Sequence, residues 1–176
     1  MKTFLSLVLA AVLALPLAAC GSGSGDGGPF IAVGKRTQAP EVKGSLLEGG
    51  TFDLAQHKGD VVVINFWASN CAPCRTEAPE LAATYDATKS DGVTFLGISI
   101  RDERDKALAY LADVKPAYGS LFDPPGEYAL DFKVPPSTIP STLVVDRKGR
   151  LASIFRGVVY QKQLQPVLQT LLAEPA

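Results

Sequence analysis

An α/β domain is the fold class this sequence predicts, and three observations carry it. Val61–Trp67 is a nearly unbroken apolar and β-branched run of the length of a buried strand. Val93–Ile100 is a second such run, and the segment between them has apolar residues at helical spacing. Beyond it the order continues as helix, strand, short helix, hairpin and helix. Strands alternating with helices predict one sheet with helices packed on it.

Residues 1–20 read as an export leader. Met1 and Lys2 give a short positive start, and the apolar stretch 4–19 is short for a membrane span but suits a secretory h-region. Its end, Leu17-Ala18-Ala19-Cys20, resembles the lipobox of bacterial lipoproteins. That resemblance implies acylation of Cys20 and a lipid anchor in the membrane; an ordinary signal peptide cut near the same small residues is the alternative. Residues 21–29 are nearly all Gly and Ser and form a linker, either a tether above the membrane or a plain tail. The folded domain is expected over residues 30–176.

Residues 31–60 read as a β-rich lead-in with a hairpin of strands near 42–47 and 51–54, turning at Glu48-Gly49-Gly50. His57, the only histidine, reads as a solvated loop residue. After the first long strand, residues 73–89 should be helical, with a kink at Pro79. Residues 101–114 form the next expected helix, 118–123 a short strand and 127–132 a short helix. Residues 135–140 are a stiff proline-rich loop. Ser141–Val145 and residues 150–155 pair around the Gly149 turn. Leu164, Val167, Leu168, Leu171 and Leu172 give the apolar face of a last helix, with Pro166 expected in its first turn.

The composition bounds the function. With 176 residues, 47% hydrophobic and 20% charged, the chain can bury a core as a single domain. A formal net charge of −1 with no basic block gives no footprint for nucleic acid. Three cysteines are too few for a disulfide scaffold, and Cys71, Cys74 and one distant histidine make a poor zinc site. No cofactor is implied.

The chemistry-bearing motif is Cys71-Ala72-Pro73-Cys74, at the junction between the first long strand and its helix. A cysteine at a helix N-terminus meets unpaired amide donors and the positive end of the dipole, which favour a thiolate. Cys74, one turn later, is close enough to close a disulfide. A static staple is the bland alternative, but so short a loop adds little stability.

The segment Phe66-Trp67-Ala68-x-x-Cys71-x-Pro73-Cys74-Arg75-x-Glu77-x-Pro79 resembles the active-site segment of the membrane-associated thioredoxin-like reductases, the TlpA and ResA type and the cytochrome c maturation thioredoxins. Ala39-Pro40 before a hairpin, and Ile139-Pro140-Ser141-Thr142 before a strand, agree with it. The resemblance covers about residues 39–172. It implies a thioredoxin fold with a mixed central sheet, helices on both faces and an N-terminal hairpin. It implies an exposed nucleophile at Cys71 and a less exposed resolving thiol at Cys74. It also implies a cis Ile139–Pro140 bond facing the cysteines, against a trans proline that merely opens the strand. Trp67, Pro73 and Ile139 would border the substrate, although Trp67 also suits plain core packing. Glu77 is either a buried carboxylate of raised pKa that takes the Cys74 proton or a solvated helix residue. Arg75 reads as surface charge or a steering group for acidic partners. One departure is Asn70, where many relatives carry tryptophan.

The implied activity is the reduction of disulfides in exported proteins, apocytochrome c among the possible substrates, outside the cytoplasm and fed by a membrane thiol donor. A disulfide-introducing oxidase with the same two cysteines is the alternative. A peroxiredoxin-type peroxidase ranks lower, because Ala68 stands where that family expects Thr or Ser. A non-enzymatic binding module ranks last.

Overall fold

The computed structural model describes residues 30–176; the expected leader, Cys20 and the linker lie outside the described residues. In chain order the elements are β1 (Lys43–Ser45), β2 (Thr51–Asp53), β3 (Val61–Trp67), α1 (Ala72–Thr88), β4 (Val93–Ile100), α2 (Arg104–Val114), β5 (Ser120–Asp123), α3 (Glu127–Asp131), β6 (Ser141–Val145), β7 (Leu151–Arg156) and α4 (Gln161–Leu172). Five strands form the main sheet in the order β5-β4-β3-β6-β7. The β3/β4 and β4/β5 pairs are parallel, and β3/β6 and β6/β7 antiparallel.

Every residue of β3 is buried, as expected for a strand covered on both faces. Its alternation sorts the core. Val61 and Val63 pack with Leu81, Leu164 and Leu168 from α1 and α4. Val62, Ile64 and Phe66 pack with Val42, Ala129 and Phe132, on the face covered by the hairpin and α3. The crossovers β3-α1-β4 and β4-α2-β5 step in the same direction, so right-handed connections put α1 and α2 on one face. The Tyr110 hydroxyl of α2 accordingly reaches the Cys74 carbonyl of α1 at 3.4 Å.

The lead-in departs from the β-rich expectation. Its two strands are three residues each, shorter than 42–47 and 51–54: Val42 and Leu54 still share one backbone hydrogen bond, but Leu46 and Leu47 turn to another strand. The Leu47 amide leaves the hairpin and donates to the Ser120 carbonyl of β5, and Leu46 bridges Leu121. At the other side Phe30 bridges Ser153, Gln38 bridges Arg150, and the Ile31 amide donates to Ala152. The lead-in thus covers both outer strands of the sheet, which would otherwise offer open edges to another chain.

A buried ion cluster fastens it. The Arg36 guanidinium contacts Glu174 at 2.6 Å and Asp146 at 3.1 Å, and Arg150 contacts Asp146 at 2.8 Å. Burial alone would raise the Asp146 carboxyl; hydrogen bonds from Arg150 and Arg36 outweigh it and hold the group below the usual carboxylate range. Arg36→Met leaves Asp146 with only one cation, and urea melts should show a loss of about 3 kcal/mol. Arg36→Met melting like the parent protein would mean that Arg150 alone satisfies Asp146.

Two helix starts move for identifiable reasons. Helix α2 starts at Arg104, not 101, because Arg101 adopts left-handed backbone at φ 53° and the Asp102 carboxylate accepts the Glu103 amide. Pro166 is the sixth residue of α4 and not in its first turn. The helix begins earlier than its apolar face, after Tyr160, whose amide donates to the Gln163 side chain. Pro166 therefore removes one interior hydrogen bond. Helix α1 runs through Pro79, which likewise has no amide to offer the Arg75 carbonyl.

Candidate active site

The site is built at the carboxyl end of β3. Trp67, the last residue of the strand, is buried and stacks on Tyr110 with ring centroids 4.5 Å apart. Gly97 on β4 allows that approach: a Cβ there would lie 2.9 Å from the indole nitrogen and 2.2 Å from the Ser120 hydroxyl. The chain then turns, with the Cys71 amide donating to the Ala68 carbonyl. Asp102 clamps the turn, accepting the Ser69 amide at 2.6 Å and the Ser69 hydroxyl at 2.7 Å.

Cys71 is the N-cap of α1, and its sulfur accepts the Cys74 amide at 3.2 Å. A sulfur so placed receives a free amide of the first turn, the donor that stabilises a thiolate after reduction. Pro73 is the second helical residue, where a missing amide costs nothing. Cys71 and Cys74 are joined as a disulfide, Cα to Cα 5.2 Å. Cys71 is less exposed than expected: it is 8% accessible against 3% for Cys74. The loop held by Asp102 and the neighbouring Ile139 and Trp67 wall it in. The order of accessibility is as expected, but both cysteines are buried in this oxidised state.

Glu77, one turn after Cys74, faces inward and is 1% exposed, which excludes the solvated reading. The Val159 amide donates to Oε1 at 2.9 Å, the Thr142 hydroxyl to Oε1 at 3.3 Å and the Asn65 amide to Oε2 at 2.7 Å. Burial pushes the carboxyl up to about 7, against the downward pull of those three donors. A narrow crevice of about 20 Å³ between α1 and α2 is lined by Trp67, Cys74, Tyr110, Tyr118, Ser120 and Asn65, the last of which donates to Glu77. Burial raises the Tyr110 and Tyr118 hydroxyls, so both stay protonated.

The Ile139–Pro140 bond is cis. The β6 ladder begins only at Ser141, leaving Ile139 outside it and packed beside Cys71. Arg75 lies at the surface, 3.0 Å from Asp113 and 4.8 Å over the Tyr110 ring. His57 is not a freely solvated loop residue: it is half-buried in a 3₁₀ turn, stacked on Phe52 and 3.2 Å from Asp60. Sequence reasoning missed Asn65, Thr142, Val159 and Asp102. A polar Asn65 inside an otherwise apolar strand was the one readable signal.

The sheet order, with a dithiol at its central strand-to-helix junction opposite a cis-proline, defines a thioredoxin fold, and the class is thiol-disulfide oxidoreductase. The chain belongs to the AhpC/TSA family, whose family model matches residues 36–154. It is 32% identical over 149 residues to the thiol:disulfide interchange protein HelX of Rhodobacter capsulatus, covering 84% of this chain and 81% of that one. It is 28% identical to the thiol-disulfide oxidoreductase ResA of Bacillus thuringiensis, covering 79% and 78%. Among solved structures, a secreted thiol-disulfide isomerase from Corynebacterium glutamicum superposes with a TM-score of 0.78 at 34% identity, covering 87% of this chain and 96% of that one.

Proposed function

We propose that this oxidoreductase reduces disulfides of exported proteins outside the cytoplasm, apocytochrome c being one candidate substrate. The observation that carries the reading is the buried Cys71–Cys74 disulfide with Glu77 one helical turn beyond it.

In the reduced enzyme the Cys71 thiolate attacks a substrate disulfide, forms a mixed disulfide and expels one substrate thiolate. Glu77 takes the Cys74 proton, and the Cys74 thiolate attacks the Cys71 sulfur. The second substrate thiolate leaves, and both substrate sulfurs pick up protons. Two electrons have moved to the substrate, and the enzyme is left with its own disulfide. A carboxyl near 7 suits this base role, because about half of it is ionised at neutral pH and it holds a proton far better than an exposed glutamate. Cis Pro140 presents the Ile139 backbone to an extended substrate segment, with Trp67 and Pro73 bordering it. A membrane thiol donor restores the dithiol, and acylated Cys20 holds the domain at the membrane. Arg75, already paired, has a surface role.

The test is the reduction potential of the Cys71–Cys74 pair in glutathione or dithiothreitol buffers. A value near that of thioredoxin, about −270 mV, or lower is expected for a reductase. A value near about −120 mV would make the protein an oxidant and overturn the direction.

A further inference from the structure

We infer that Arg101 is a specificity-determining residue that reads an acidic side chain beside the reacting cysteine of the partner polypeptide. The inference rests on the exchange chemistry proposed above and adds the substrate's charge to it.

Arg101 immediately follows β4, the parallel neighbour of β3, so it emerges at the same sheet end as the dithiol loop. With Ala68, Asn70 and Ile139 it lines a pocket of about 150 Å³. Those neighbours are the loop before Cys71 and the residue before cis Pro140, so a peptide lying along Ile139 passes this pocket.

Its backbone stands at φ 53°, a region that favours glycine because any Cβ crowds the following carbonyl oxygen there. The next residue, Asp102, turns inward to accept the Ser69 amide and hydroxyl, the Ser99 hydroxyl at 3.2 Å and the Glu103 amide at 2.8 Å. The left-handed turn at 101 thus stands directly before the residue that clamps the cysteine loop. Glycine would satisfy that turn with less strain, and the chain instead places an arginine in the lining of the pocket.

That guanidinium is uncommitted. Arg75 is paired with Asp113, Lys106 with Glu103, and Arg104 lies 5.8 Å over the Phe122 ring. Among the described residues Arg101 has no ion pair, and it is exposed. The Asp102 charge beside it is already met by four donors. A carboxylate entering the pocket would find the planar fork that pairs with it bidentately.

The experiment uses three disulfide peptides that differ only in the residue next to the cysteine: Glu, Gln or Lys. Second-order exchange rates are measured both ways, reduced protein with disulfide peptide and oxidised protein with dithiol peptide, so that the result does not depend on the physiological direction. The Glu peptide should exchange about three- to tenfold faster than the Lys peptide at low salt, with the preference shrinking as salt is added. Arg101→Gly, which also relieves the backbone, should keep the Gln-peptide rate and lose the preference; Arg101→Lys should keep part of it. Equal rates for the Glu and Lys peptides, or a preference that survives in Arg101→Gly, overturn the inference while leaving the exchange chemistry in place. No exchange with any peptide in either direction would overturn both.

Discussion

Cys71→Ser is expected to abolish exchange, and Cys74→Ser to accumulate a mixed disulfide with substrate. A serine hydroxyl at 71 is not ionised near neutral pH and cannot replace the thiolate that the first turn of α1 stabilises. With Cys74 changed, the first step still proceeds and the second has no nucleophile, so the adduct persists until an external thiol attacks it. Non-reducing gels followed by mass spectrometry would detect it. The structural effect is small by comparison: opening so short a loop costs about 2 kcal/mol by the chain-entropy estimate. Lost turnover in a well-folded variant therefore reports chemistry. A Cys74→Ser protein with full turnover would exclude the two-cysteine mechanism.

The second large effect lies at Glu77. An exposed glutamate carboxyl titrates near 4.5, and burial pushes that of Glu77 up to about 7. The folded state thus holds the proton more tightly than the unfolded chain. The linked stability is fully present below about pH 4.5 and is lost as pH rises through about 7. The gap between the two values corresponds to about 3 kcal/mol. Glu77→Gln keeps an acceptor for the Val159 amide and cannot ionise. The parent's loss of up to about 3 kcal/mol between about pH 4.5 and pH 8 should be absent from the variant, whose baseline is shifted because its amide nitrogen faces the Asn65 donor. The same variant should resolve the mixed disulfide more slowly, and its rate profile should lose the inflection near pH 7. Parallel stability curves for the two proteins across that range would mean that Glu77 is not held near 7. An unchanged resolution rate would remove it from the proton path.

Much of this molecule is legible along the chain. The seven-residue run of β3, the period of α1 and the two-residue spacer of the dithiol are local patterns, and each folded as read. The resemblance around Cys71 and Pro140 supplied the sheet architecture and the cis bond. Charge carried less. Glu77 divided evenly between solvent and interior, because its environment comes from Asn65 on β3, Thr142 on β6 and Val159 after β7. No window of sequence contains those four residues. Asp102 has the same difficulty: its partner Ser69 is 33 residues away, and the contact exists only because β3 and β4 lie side by side.

The lead-in shows the limit from another direction. Its composition suggested strands, but Leu46 and Leu47 pair with β5 while residues 30–38 run along β7, so pairing partners decided the structure. Periodicity, helix-terminus chemistry and the spacing of two cysteines are properties of neighbours in sequence. They pointed to the α/β class and brought Cys71 and Cys74 together as a pair at a helix start, and the structure has both. Burial, buried-charge pairing and the pKa of Glu77 depend on which elements meet across the sheet. Desolvation and hydrogen bonding act through space, and only the tertiary structure decided them.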